Sequence, residues 1–111
     1  MIPSGDDEQA VLVALADPVR REILTVLARQ GGATTTSLAA GLPVTRQAVA
    51  KHLAVLDRAG LVSAHRAGRE VRYEADLHPL KRTARWMDEL AAKWEVRLQA
   101  IKDLAEGTDQ P

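Results

Sequence analysis

Thr45-Arg46-Gln47-Ala48-Val49-Ala50-Lys51-His52-Leu53-Ala54-Val55-Leu56 decides the fold, together with Ala59-Gly60-Leu61-Val62 and Arg66-Ala67-Gly68-Arg69 that follow it. Thr45 can cap a helix, because its hydroxyl accepts from an orphan amide of the first turn. Ala48 or Val49, Leu53 and Leu56 then share one face of a helix over 45–59, which Gly60 closes. After Gly60 the period changes. Residues 61–66 and 70–75 read as two short strands, with Ala67-Gly68-Arg69 as a tight turn in which glycine supplies a positive φ. A lone hairpin is unstable in water. Helix and hairpin must therefore belong to one packed unit.

Working toward the N-terminus, Gly41-Leu42-Pro43-Val44 forms a turn, preceded by a short helix over Thr36 to Ala40 with Gly41 as its stop. Thr34, Thr35 and Thr36 are its candidate caps. Asp17-Pro18 reads as the cap and first residue of a longer helix, since Asp accepts from free amides and Pro has none to leave unbonded. Val19, Ile23, Val26 and Leu27 form its apolar stripe, and Gly31-Gly32 ends it. A first helix runs from Asp7 to Ala16. Toward the C-terminus, a helix from Leu77 to about Glu106 carries Leu80, Ala84, Met87, Ala91, Trp94, Leu98, Ile101 and Ala105 at alternating spacings of four and three, a heptad seam. The expected architecture is mainly α with a small β-hairpin: a winged helix-turn-helix in the order helix-helix-helix-helix-strand-strand-helix. Residues 1–6 are expected to be a flexible start, 7–106 one DNA-binding and dimerisation domain, and 107–111 a flexible tail.

Composition agrees. The chain has 111 residues, enough for one modest core. Nineteen Ala and 14 Leu against 10 Val and 3 Ile favour helix over sheet. Cysteine is absent, which removes disulfides, thiolate metal sites and a Cys nucleophile together. The longest apolar run, Ala10 to Ala16, is far short of the ~20 residues of a membrane span. The acidic N-terminus lacks the basic and apolar regions of a signal peptide. The expected location is cytoplasmic, with no membrane partner.

Formal net charge is zero, which argues at first sight against nucleic-acid binding. The sum hides a pattern. Residues 1–43 carry −2, residues 44–72 carry +4 and residues 73–111 carry −2. If Val49, Leu53 and Leu56 turn inward, Arg46, Gln47, Ala50 and Lys51 are left outward near the start of the helix. Arg suits guanine edges, Gln suits adenine, Lys suits phosphate or guanine, and Ala50 can touch a thymine methyl. Any surface helix has a solvated polar face, so the helix alone does not decide. Arg66, Arg69 and Arg72 around the hairpin tip change the balance, because a wing meets phosphates or a minor groove there.

Several segments resemble the ArsR/SmtB-type winged helix-turn-helix transcriptional regulators. Leu15-Ala16-Asp17-Pro18-Val19-Arg20-Arg21-Glu22-Ile23-Leu24 is similar to the opening of their DNA-binding half. Thr45 to Leu56 resembles their recognition helix, Ala59-Gly60-Leu61-Val62 the start of their wing, and Arg66-Ala67-Gly68-Arg69 with Tyr73 the wing itself. The likeness spans residues 10–106. It implies a homodimeric repressor on a pseudo-palindromic double-stranded DNA operator, released by a signal. The DNA-binding candidates are Thr45, Arg46, Gln47, Ala50, Lys51, Arg66 and Arg69. The resemblance places the dimer interface on the first and last helices, with Leu12, Met87, Trp94, Leu98 and Ile101 as candidates.

No cofactor and no metal site are expected. Where metal-sensing members carry cysteines in the third helix, this chain has Thr34 and Thr36. Of a second family site along the last helix, Asp76 and His78 are present, but its other half falls at Glu89 and Ala92. Three or four good ligands are needed for zinc, and Asp76-Leu77-His78-Pro79 reads better as a helix start. Trp86 and Trp94 fit an apolar core or dimer seam, or the floor of a pocket for an unidentified small-molecule effector. An enzyme is not expected: there is no Gly-x-Ser-x-Gly elbow and no glycine-rich phosphate loop. Two alternatives stay open: a metal-responsive repressor using a residual site near Asp76 and His78, and a winged-helix protein-interaction module that never touches DNA.

Overall fold

A computed structural model describes residues 5–107. The chain forms α1 (Asp6–Leu15), α2 (Pro18–Gln30), β1 (Ala33–Thr34), α3 (Thr35–Gly41), α4 (Arg46–Arg58), β2 (Val62–Ala67), β3 (Glu70–Ala75) and α5 (His78–Gly107). This is the winged helix-turn-helix read from the sequence, with one added strand. Of the ends expected to be flexible, 1–6 and 107–111, positions 1–4 and 108–111 lie outside the described residues, while Asp6 opens α1 and Gly107 closes α5.

The helix ends follow from named side chains. Asp17 Oδ1 accepts from the amides of Val19 at 2.8 Å and Arg20 at 3.2 Å, which starts α2. Burial works against its charge, but those two amides, with His52 and Arg20 nearby, hold its carboxyl below the usual range. Gly31 closes α2 at φ 75°, its amide bonded to Leu27 O. α1 has no basic residue in its last turn. Instead, Arg20 donates from Nε to Ala14 O at 2.6 Å and from Nη2 to Val13 O at 3.1 Å, and Arg21 Nη1 donates to Leu15 O at 2.6 Å. The carbonyls that a helix end leaves orphaned are thus satisfied by the next helix.

The sheet has the order β1-β3-β2, all antiparallel. The sequence shows the hairpin but not β1, because two residues carry no period. Thr34 pairs with Arg72 in β1 and also caps α3, exchanging hydrogen bonds with Ser37. Gly41 is not the stop that its position suggests. It lies inside α3, and Leu42 in extended conformation ends the helix. Ala67 belongs to β2 and pairs with Glu70, so the turn is the two residues Gly68-Arg69. Gly68 has φ 64° while no non-glycine among the described residues has a positive φ, the pattern of a type II′ turn.

The core joins α1, α2, α3, α4 and the start of β2. Ile23, Leu27, Leu38, Val49, Leu53, Leu56 and Leu61 are each at most 2% exposed. α4 therefore turns Val49, Leu53 and Leu56 inward, as its spacing indicates.

α5 divides lengthwise. Its first turns bury Pro79 and Thr83 and half-bury Trp86 and Leu90, on the side that packs on α1. The seam residues Ala84, Met87 and Ala91 sit beside that stripe and are exposed, as is every described residue after Leu90. A compact domain of this length has a radius of gyration of about 13 Å. The observed value is 20.1 Å, with a longest dimension of 77 Å, because α5 runs for 30 residues and half of it leaves the body. Trp86 and Trp94, alike by spacing, are separated by this geometry: Trp86 approaches Gly5 at the start of α1, and Trp94 is 61% exposed.

Candidate nucleic-acid interface

The inward turn of Val49, Leu53 and Leu56 fixes what α4 shows to solvent. Arg46, Gln47, Ala50 and Lys51 are all exposed. α3 and the hairpin tip lie near its first turns. Together they enclose an open groove of about 740 Å³. It is lined by Arg46, Gln47 and Ala50 of α4, Thr35, Thr36 and Ser37 of α3, and Arg69, Glu70 and Val71 of the hairpin.

The groove thus gathers four of the seven candidates: Arg46, Gln47, Ala50 and Arg69. Lys51 continues the exposed face of α4 outside the lining. Arg66 is exposed on β2 opposite Val71. Thr45 serves as the cap of α4, its Oγ1 accepting from the Ala48 amide at 3.1 Å. That bond uses the hydroxyl oxygen and leaves its proton free for an acceptor such as a phosphate. Loss of such a cap costs about 1 kcal/mol. Thr45→Ala is therefore expected to lower stability by about that amount in urea unfolding, while Thr45→Ser restores it.

Glu70, Val71 and the α3 residues were not among the sequence candidates. The threonines are legible only as caps, and nothing in the order of residues shows that they face Arg69. Electrostatically the lining is mainly cationic, and it includes the first turn of α4, the positive end of that helix's dipole. Arg46 and Arg69 supply fixed charge, and Glu70 is the one carboxylate in the lining.

The histidines sit elsewhere. His52 is half-buried, its Nδ1 3.4 Å from Arg20 Nη1, so it faces α2 and not the groove. His65 Nε2 lies 3.3 Å from Ser63 Oγ and 3.5 Å from Glu74 Oε2, on the hairpin surface. Asp76 Oδ1 accepts from the His78 amide at 3.0 Å, the role of a helix start. Among the described residues, no three His, Cys, Asp or Glu side chains come together as a metal site. No helix among them is long and apolar enough to cross a membrane.

Comparison with known proteins bears on the same region. Residues 15–63 match the family described as a helix-turn-helix domain. The transcriptional repressor SdpR of Bacillus subtilis (strain 168) is 31% identical over 77 residues, covering 69% of this chain and 84% of SdpR. The structure of an ArsR-like transcriptional regulator from Rhodococcus sp. RHA1 superimposes with a TM-score of 0.80 at 46% identity, over 89% of this chain and 92% of that one. The homodimeric winged helix-turn-helix DNA-binding domain Mb0332 from Mycobacterium bovis, a possible ArsR-family regulator, superimposes with a TM-score of 0.63 at 27% identity, over 79% and 80%. All three are described as regulators of transcription, and none as an enzyme.

Proposed function

Because this chain belongs to the ArsR family of winged helix-turn-helix transcriptional regulators, we propose that it acts as a homodimeric repressor on a pseudo-palindromic operator, which it grips with the 45–59 helix and the 61–75 wing. The observation that carries this reading is the groove, where Arg46, Gln47 and Arg69 converge on one surface from two separate segments. Arg46 and Gln47 read base edges in the major groove. Thr45 and Lys51 hold adjacent phosphates, and Ala50 lies against a thymine methyl. Arg66 and Arg69 anchor the wing on the backbone or in the neighbouring minor groove.

The uncovered seam of α5 supports the homodimer. Met87, Trp94, Leu98 and Ile101 are each about half exposed or more, and Leu12 of α1 is 40% exposed. That much apolar surface on a small body calls for a partner chain. The dimeric state of Mb0332 supports the same reading. A two-fold dimer presents two recognition helices, and its operator mirrors that symmetry. Repression is supported by SdpR, a relative named a repressor. On this reading residues 7–106 act as one DNA-binding and dimerisation domain.

A reporter driven by the chain's own upstream region tests the proposal. Expression of the protein is expected to lower transcription several-fold, and purified protein to bind the operator as two protomers per site by analytical ultracentrifugation. Increased transcription would replace repressor by activator. One protomer per site would remove the symmetric operator.

A further inference from the structure

We propose that Glu70 is a specificity-determining residue, whose carboxylate accepts from the N2 amine of a guanine in the minor groove beside the wing, so that each half of the operator requires a G·C pair there. The proposal rests on the DNA reading above and adds which base pair the wing selects.

Two neighbours in the hairpin oppose each other in charge. Arg69 and Glu70 line the groove together with Arg46, and Glu70 is the one carboxylate in that lining. Its position costs affinity, because DNA phosphates are drawn to Arg46 and Arg69 and repelled by Glu70. Nor does the fold neutralise it. Among the described residues the ion pairs are Arg20 with Asp17 and His65 with Glu74, and Glu70 takes part in neither. Glu74 gives the contrast. By the alternation of a strand it shares a face of β3 with Glu70, yet its carboxylate is engaged by His65 at 3.5 Å. Opposite Glu70 in the register stands Ala67, which offers no polar side chain. Glu70 is exposed, and its carboxylate oxygens are acceptors that only a donor can satisfy.

Duplex DNA presents donors on its base edges alone. In the minor groove every A·T pair shows only the acceptors adenine N3 and thymine O2, while a G·C pair adds the guanine N2 amine. A wing tip carrying only arginines favours A·T tracts, whose narrow minor groove concentrates negative potential. Glu70 reverses that preference. It is repelled where the negative potential is deepest, and it finds a donor only at guanine. Arg69 beside it offsets the repulsion from the backbone, so the hairpin stays on the DNA while the carboxylate reads the base edge. Rejection of the wrong pair is as much a part of specificity as attraction to the right one. In a two-fold dimer the choice is made twice.

The test starts from an upstream duplex that the full chain binds, with the base pairs on both sides of each half-site randomised. Wild-type protein is expected to enrich G·C over A·T about tenfold or more at one position per half-site, the scale of a single base-pair discrimination. Glu70→Ala should lose that enrichment and bind random duplex several-fold more tightly. Glu70→Gln has the same shape without the charge and can donate as well as accept, so it should take A·T at that position too. It keeps the result readable if alanine disturbs the hairpin. Inosine in place of the selected guanine removes the N2 amine and leaves the major-groove edge intact. It should weaken wild type about tenfold and leave Glu70→Ala unchanged. A wild-type selection without such a position, or with one that both Glu70 variants retain, would overturn the proposal. So would a wild type indifferent to inosine. Equal binding of the upstream duplex and scrambled DNA would refute the DNA reading itself, and the proposal with it.

Discussion

Replacing Arg46 and Arg69 together by alanine is expected to weaken operator binding by about 100-fold or more, with the fold intact. The two guanidiniums line the same groove from different segments, one on α4 and one on the hairpin. A guanidinium on a base edge or phosphate contributes about 1–3 kcal/mol, and in a two-fold dimer each is present twice. Both side chains are exposed, so their removal creates no cavity and leaves no buried charge. The unfolding midpoint should therefore stay where it is. The salt dependence separates their roles: the slope of log affinity against log salt should shallow by about one for each phosphate that the variant no longer neutralises. Lys51→Ala alone should change mainly that slope. An unchanged affinity in the double variant would place the reading surface elsewhere.

The second large effect is on stability. Leu53→Ala is expected to cost about 2–5 kcal/mol, since it deletes a side chain that packing cannot replace and leaves a cavity. Leu53 is 1% exposed and lies between Val49 and Leu56 on the inward face of α4. Native domains hold only about 5–15 kcal/mol in total, and at this size each 1 kcal/mol moves the thermal midpoint by about 4–8 °C. A fall of about 10 °C or more is therefore expected, measured at equal protomer concentration because dimerisation adds to the apparent stability. Because the same helix carries Arg46 and Gln47 on its other face, DNA affinity should fall in parallel when the variant is assayed near its midpoint, and recover on cooling.

What was legible in the sequence follows a physical rule: signals that repeat along one element can be read, and those made by distant segments cannot. α4 was legible face by face because Val49, Leu53 and Leu56 come at helical spacing. The hairpin was legible because Gly68 marks a turn between two alternating stretches. β1 was not, since two residues have no period and Thr34 already had a role as a cap. The far walls of the groove were not legible either. Thr35, Thr36, Glu70 and Val71 line one groove with Arg46 only because the fold brings α3 and the hairpin near the start of α4. The heptad spacing of α5 reads as one stripe, whereas the body takes Leu80 and the adjacent stripe of Pro79, Thr83, Trp86 and Leu90 and leaves the rest of the seam bare. Spacing gives a helix its faces but not the identity of what covers each one.

The zero net charge is the clearest case of a whole-chain quantity concealing a local one. The +4 segment, residues 44–72, contains α4 and the hairpin as far as Arg72, while the segments on either side of it are acidic. Such a chain should bind random DNA weakly for a regulator and depend on base contacts for its affinity.

That expectation defines the most direct test. Fluorescence anisotropy would compare a labelled duplex from the chain's own upstream region with a scrambled duplex of the same length and composition, at several salt concentrations. Binding to the upstream duplex should be at least about 1,000-fold tighter at physiological salt, and the preference should collapse in Arg46→Ala/Arg69→Ala. Equal affinity for the two duplexes, or no measurable binding to either, would contradict the claim that the groove between α3, α4 and the hairpin reads DNA.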